Sequence, residues 1–400
     1  MAETGSRCYI ARRTLLLAGA ACALPALGQQ RVLSVGLLSQ ADDERYDAST
    51  LQKGFPDGPS GRSEPAARIA LNDSAFNLQI AGWASTQLVH LEAASTAALP
   101  TALQQLLQQG VRHVVLELPA AGVAAVAAAA AGKNVILFNA AAPEDALRGA
   151  QCAANLLHTL PSHAMQMDAI AQLLVVRKWS RPLVLHGPLP GDRLLLVAWQ
   201  RSARRFGVKA IAERAFKLSN DPRERDLANI RLLTSDRDYD ALVVLDAQGE
   251  FARDVPFRTV LPRPVLGSNG LTAQAWSPWY ERHGAPQLSR RFLRRASRPM
   301  GSYDWATWMA TRAAAEGAGA YNKASVAQQL QALRQGAVGL DGYKGQRLTF
   351  RGWDGQLRQP LLLVHGNGVA DNAPLEGFLH PRSVLDTLGY DAAETGCKAG

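Results

Sequence analysis

Val111-Arg112-His113-Val114-Val115-Leu116-Glu117-Leu118 is followed, after Pro119, by the alanine-rich run Ala120–Ala131 and then by Val135-Ile136-Leu137-Phe138. The first and last segments are short and mostly apolar, as expected of strands buried on both faces. The run between them is a good helix former with a thin packing face. Strand, helix, strand in this arrangement predicts two parallel strands of one sheet with the helix packed across them.

Working outward, the same alternation continues on both sides. Before it lie an expected helix over Ala97–Gln109, with Leu99, Leu103, Leu106 and Leu107 at helical spacing, a strand over Leu78–Trp83, a helix over Glu64–Ala75 and a first strand over Val32–Leu38. Ser39–Ser63 is polar and rich in Asp, Gly and Pro. A loop that long is unusual in a compact domain, which marks it as a functional candidate. Beyond Phe138 the pattern restarts: helix over Ala164–Val176, strand over Leu183–His186, and a helix with Leu195, Trp199 and Phe206 on one face. Strand over Val208–Ala212, helix over Arg223–Leu233 and strands over Ala241–Leu245 and Val265–Gly267 complete the second run. A helical block over Gln274–Tyr321 carries Trp276, Trp279, Trp305 and Trp308, read as packing anchors ahead of ligand stackers. Arg347–Phe350, the Asp354-Gly355 turn and Leu361–Val364 read as strand, turn, strand.

Two α/β runs of similar length without a linker imply an α/β fold of two doubly wound parallel-sheet lobes, with a hinge and a cleft between them. The expected boundaries are residues 29–155 plus about 270–340 for the first lobe, 156–269 plus about 341–380 for the second, and a tail over 381–400.

Composition bounds the class. With 47% apolar and 19% charged residues the chain is globular, and a formal net charge of +9 mildly favours anionic partners. Residues 1–28 read as an export signal: Arg12-Arg13 precede an apolar run over Leu15–Leu27 that is short for a membrane span, and Ala26-Leu27-Gly28 is a small-x-small cleavage site. Twin-arginine and Sec routes both fit. Cys152 and Cys397 remain beyond it. In an oxidising compartment an even pair reads as a disulfide, with two unrelated buried thiols as the alternative.

Catalytic and cofactor motifs are missing. There is no G-x-x-x-x-G-K-[ST], no H-E-x-x-H and no G-x-G-x-x-G after the first strand, and Leu266 replaces the first Gly of a nucleophile elbow at Ser268. The reading is therefore of a protein that is not an enzyme, holds no cofactor or metal and binds no nucleic acid. The Arg290–Arg298 basic run is read as a solvated helix face.

An exported chain of two α/β lobes with a late strand–turn–strand element resembles the type I periplasmic binding proteins of ABC transporters, nearest the branched-chain amino acid class. The late motif stands here as Gly345 to Phe350, Trp353-Asp354-Gly355 and Leu361 to Val364. A narrower resemblance is carried by Leu157–Ser162 after Cys152, Ala285–Leu288, Asp304–Met309, Phe350–Pro360, Gly377–Pro381 and Leu385–Gly389. It is to the substrate-binding proteins of ABC systems associated with pyrroloquinoline-quinone-dependent alcohol dehydrogenases. These resemblances imply a periplasmic, monomeric protein with a small ligand in the inter-lobe cleft, an ABC permease and ATPase as partners, and a setting of quinoprotein alcohol oxidation. Ligand groups would then follow the strands: Gln40 and Asp42, Glu117 to Ala120, Asn139 to Pro143, Gly187 and Asp192, and Asp246 with Gln248. Ala120 and Ala142 stand where the family's amino-acid binders carry hydroxyl groups, so tight leucine, isoleucine or valine binding is not expected. The alternative is a periplasmic carrier or sensor of a metal ion or of the quinone. Carboxylates Asp42, Glu117, Asp192 and Asp246 would serve the metal, and Arg45 and Arg193 the quinone.

Overall fold

The computed structural model describes residues 31–398, together with Met1, Ala2 and Gly5, so the expected export signal lies outside the described stretch. The first sheet comprises β1 (Val32–Gln40), β2 (Ser85–Ala93), β3 (His113–Glu117), β4 (Ile136–Asn139) and β5 (Leu156–His158), in the order β2-β1-β3-β4-β5. Every pairing in it is parallel. β3 and β4 are buried along their whole length, which is why they read as continuous apolar runs. The second sheet comprises β6 (Pro182–His186), β7 (Ala212–Ala215), β8 (Ala241–Leu245), β9 (Val265–Gly267) and β10 (Leu271–Gln274). A small third sheet is formed by β11 (Leu340–Asp341), β12 (Arg347–Phe350) and β13 (Leu357–Arg358). β14 (Leu361–His365) and β15 (Gly368–Ala373) then extend the second sheet to the order β15-β14-β10-β9-β8-β6-β7.

Helices α1 (Ala48–Lys53), α2 (Glu64–Ile80), α3 (Leu99–Gln108) and α4 (Ala120–Ala129) belong to the first run, and α5 (His163–Val176), α6 (Pro190–Phe206), α7 (Ile230–Leu233) and α8 (Val255–Arg258) to the second. The chain then returns: α9 (Ala285–Ala296), α10 (Ser302–Ala320) and α11 (Val326–Arg334) follow, and α10 packs on α2 and against β1 and β3. Trp276, Trp305 and Trp308 are fully buried in that core, with Trp276 and Trp305 stacked at 6.3 Å between ring centroids. Trp279 is half exposed.

Several expected elements differ. Leu78–Trp83 is not a strand. Leu78 lies on the buried face of α2, which runs on to Ile80, and the strand is Ser85–Ala93. Val208–Ala212 gives way to a strand that begins at Ala212, and Arg223–Leu233 is a 3-10 stretch over Pro222–Ala228 followed by one turn of α7. The helical block starts later than Gln274, which ends β10 in the second sheet. The late hairpin pairs β12 with β13 rather than with Leu361–Val364, which runs antiparallel to β10 and β15.

The chain passes between the two large sheets after β5, after β10 and before β14, and the passages are tied together. Gln359 Nε2 donates to the carbonyl of Thr159 at 2.7 Å, and the Thr159 hydroxyl donates to that of Ala306 at 2.8 Å. Lys344 Nζ donates to Gln359 Oε1 and to the carbonyl of Pro360, and lies 3.6 Å from the Trp305 ring centroid. Burial holds this amine well below the usual lysine range. The tail closes on the same region. Arg351, fully buried, donates to Asp386 at 2.9 Å and to the carbonyls of Leu385 and Leu388. Cys152 and Cys397 form a disulfide.

Candidate functional site

A cavity of about 440 Å³ lies between the two large sheets. From the first sheet's side it is walled by Pro143 and Glu144, which follow β4, and by Ser302 and Tyr303 at the start of α10. From the second it is walled by His163, Gln166, Met167 and Ile170 of α5, by Leu194 and Leu195 of α6, by Asp246 and Gln248 after β8 and by Ser268 after β9. The stretch over residues 41–63, expected to be all loop but containing a 3-10 turn over Glu44–Tyr46 and α1, supplies Glu44, Arg45, Lys53, Phe55 and Asp57. This is the loop whose length set it apart in the sequence.

The loop is anchored at both ends of its reach. Asp57 accepts hydrogen bonds from the Ser302 hydroxyl and from Gln166 Nε2, one group from each side of the cleft, and the carbonyl of Pro56 accepts from Gln274 Nε2. Burial pushes the Asp57 carboxyl up to about 7, against the lowering effect of those two donors. The Phe55 ring lies against Gly249. That residue has φ +70°, and a Cβ there would stand 2.6 Å from the ring, so only glycine fits. Arg45 forks onto buried Asp43 at 2.9 and 2.7 Å and donates to the carbonyl of Ala141. Burial opposes its charge, but Asp43 outweighs it and the guanidinium is held above its ordinary value. Burial also pushes the Tyr303 phenol up to about 12, partly offset by the Arg45 charge.

The residues expected to hold the ligand are placed differently. Of Gln40, Asp42, Glu117, Ala120, Asn139, Ala142, Asp192 and Asp246, Asp246 lines the cavity and the others do not, while Pro143 and Gln248, also expected at strand ends, do line it. Gln40 accepts from the Thr96 hydroxyl through its side chain and from Arg62 through its carbonyl. Asp42 is exposed. Glu117 Oε1 accepts from the Ser63 amide at 2.7 Å, the Ser63 hydroxyl at 2.6 Å and the Tyr46 hydroxyl at 3.1 Å, so it fastens the long loop down. Ala120 opens α4 behind Pro119. Asn139 Oδ1 accepts the amides of Ala141 and Ala142, turning the chain after β4. Asp192 accepts the amides of Leu189 and Ala247. Asp246 itself accepts the amides of Gly249 and Ala252 at 2.9 Å each. Its carboxyl is raised by burial and by the neighbouring charge of Asp192. Arg193 is exposed and away from the cavity. Among the described residues no group of three or more His, Cys, Asp or Glu is arranged to hold a metal ion, and no helix is long and apolar enough to cross a membrane.

Solved structures share this architecture. A periplasmic binding protein from Burkholderia mallei aligns with a TM-score of 0.65 over 92% of this chain and 99% of its own, at 13% identity. The fold is that of the type I periplasmic binding proteins. A branched chain amino acid ABC transporter periplasmic ligand-binding protein from Burkholderia xenovorans shares the type I fold with a TM-score of 0.66 at 15% identity, covering 84% of this chain and 90% of that one. A solute binding protein of an ABC transporter from Rhodopseudomonas palustris, in complex with 3,4-dihydroxybenzoic acid, shares it with a TM-score of 0.63 at 14% identity, covering 84% and 93%. No protein-family model matches the chain, and no curated protein is similar to it. In the type I fold the cavity described above lies where parallel strands of both sheets deliver their loops.

Proposed function

We propose that this chain is the solute-binding component of an ABC transport system. It is exported to the periplasm and carries a small molecule in the cleft to a permease and its ATPase. The observation that carries this reading is the cavity of about 440 Å³ whose walls come from both sheets and from the long loop. Binding proteins of ABC transporters with the same fold support it. The quinoprotein alcohol-oxidation setting rests on the sequence strings Phe350–Pro360, Gly377–Pro381 and Leu385–Gly389. We propose further that the lobes move about the passages near Thr159, Ala275 and Gln359, and that contacts to both lobes favour the closed form. Native mass spectrometry of protein purified from the periplasm tests the reading: a bound small-molecule mass is expected. A ligand-free mass, with no change in small-angle scattering on adding periplasmic extract, would sink it.

A further inference from the structure

The protein as a whole is basic, but its cleft is not. Glu44, Asp57, Glu144 and Asp246 line the cavity, against Arg45 and Lys53. Both cations have acidic partners: Arg45 forks onto Asp43, and Lys53 lies 3.9 Å from Glu250. Main-chain amides beside the cavity are engaged within their own loops. The amides of Ala141 and Ala142 go to Asn139, and those of Gly249 and Ala252 to Asp246. Among the described residues of the cavity wall one buried acceptor lacks a donor. Glu144 Oε2 is buried and meets no hydrogen-bond donor. The nearby Arg148 donates to the main-chain carbonyl of Glu144, while its remaining N–H groups reach Gln356 and the carbonyls of Ala142 and Leu160. A buried carboxylate oxygen without a donor is costly, and a cationic donor relieves that cost best. An apolar stretch of the wall is made by Pro143, Leu160, Met167, Ile170 and Leu194.

Building on the solute-binding reading, we infer that the cleft takes a small organic cation, an amine or ammonium with an apolar body and no carboxylate, and that Glu144 receives its charge. The apolar wall holds the body, and the phenol of Tyr303 faces the same space. A zwitterionic amino acid or a benzoate-type anion brings its carboxylate to a wall with more carboxylates than cations, both cations being paired already.

Three probes of matched shape decide the class: benzylamine, benzyl alcohol and benzoate, titrated calorimetrically into ligand-stripped mature protein. Benzylamine alone should give saturable heat and raise the melting temperature. Glu144→Gln should weaken benzylamine by about tenfold or more, the loss of one charge-assisted contact, and Glu144→Asp should retain more of the affinity than Glu144→Gln. Stronger binding of benzoate or benzyl alcohol overturns the cation class, as does benzylamine binding unchanged by Glu144→Gln. Silence from all three also overturns it. A bound mass in the native spectrum of periplasmic material would then leave the solute-binding reading standing, so the two failures are distinguishable.

Discussion

The open ends of the two large sheets are built from similar residues and used in opposite ways. At the first sheet, the groups after β1, β3 and β4 point inward on the chain itself. Gln40, Glu117 and Asn139 hold Arg62, Ser63, Tyr46 and the turn after β4. The long loop is thereby pinned across that end. At the second sheet, the loops after β8 and β9 are folded on themselves by Asp246 and Ser268 but remain at the wall of the cavity. A carboxylate following a parallel strand is thus a poor marker of a ligand contact by itself, because the same position is where a loop needs an acceptor for its own amides.

The largest expected consequence concerns amino-acid ligands. If the first sheet's end is closed as described, a leucine carboxylate finds neither a hydroxyl at Ala120 or Ala142 nor a free amide at Ala141 or Ala142. Losing two charge-assisted hydrogen bonds costs about 3–6 kcal/mol, which turns a micromolar site into a millimolar one. Calorimetry with leucine, isoleucine and valine should show no saturable heat at micromolar concentrations, and a micromolar isotherm would break the contrast between the two ends. Next in size is Glu117→Ala. It strips the acceptor from Ser63 and Tyr46 and the partner from Arg62, whose Nη1 lies 3.7 Å from Glu117. Breaking such a buried site should cost about 3–5 kcal/mol in urea unfolding. A neutral result would mean the loop is not fastened there.

A smaller effect belongs to Asp57, which sits between the two sides of the cleft. Its folded carboxyl is raised to about 7, while an unfolded one titrates at about 3.9. Below about pH 4 both states are protonated. Between there and pH 7 the folded state keeps a proton that the unfolded state has lost, so stability falls as pH rises through this window and levels off above it. Melting temperatures of the parent and of Asp57→Asn at pH 5, 6 and 8 should show a steeper decline in the parent. Parallel curves would remove Asp57 from the account. Smallest of all is Asp42→Ala. The side chain is exposed, so a change within about 0.5 kcal/mol is expected, and a large loss would give this residue a role that the geometry lacks.

The parallel sheets were legible because their central strands β3, β4 and β8 are short apolar runs between helices, and burial on both faces leaves little alternative. β2 was not, because it is an edge strand. Thr86, Gln87, His90 and Glu92 interrupt its apolar pattern, and half-buried edges carry weak periodicity. The long loop was visible as a functional candidate by length and composition alone. Of its residues that line the cavity Arg45 was singled out, as a partner for the quinone, whereas Phe55 and Asp57 were not, since they reach the cavity only through pairings with Gly249, Ser302 and Gln166 that are distant in the chain. The ends of β1, β3, β4, β6 and β8 could be located to within a few residues. Whether a side chain there faces a ligand or its own loop depends on hydrogen bonds that no local pattern encodes.

The Cys152–Cys397 bridge joins residues 245 positions apart, and so makes a covalent ring. That ring contains the whole second sheet, the small sheet and α9 to α11, and leaves β1 to β4 outside. A protease that cuts once inside it, for example in the exposed Pro222–Ala228 stretch, releases nothing. The nicked protein runs as one molecule on a denaturing gel and separates into two pieces only when a reductant is added. A single cut between Arg31 and Gln151 parts the chain at once, so proteolytic damage to the two halves of this protein is not equally visible.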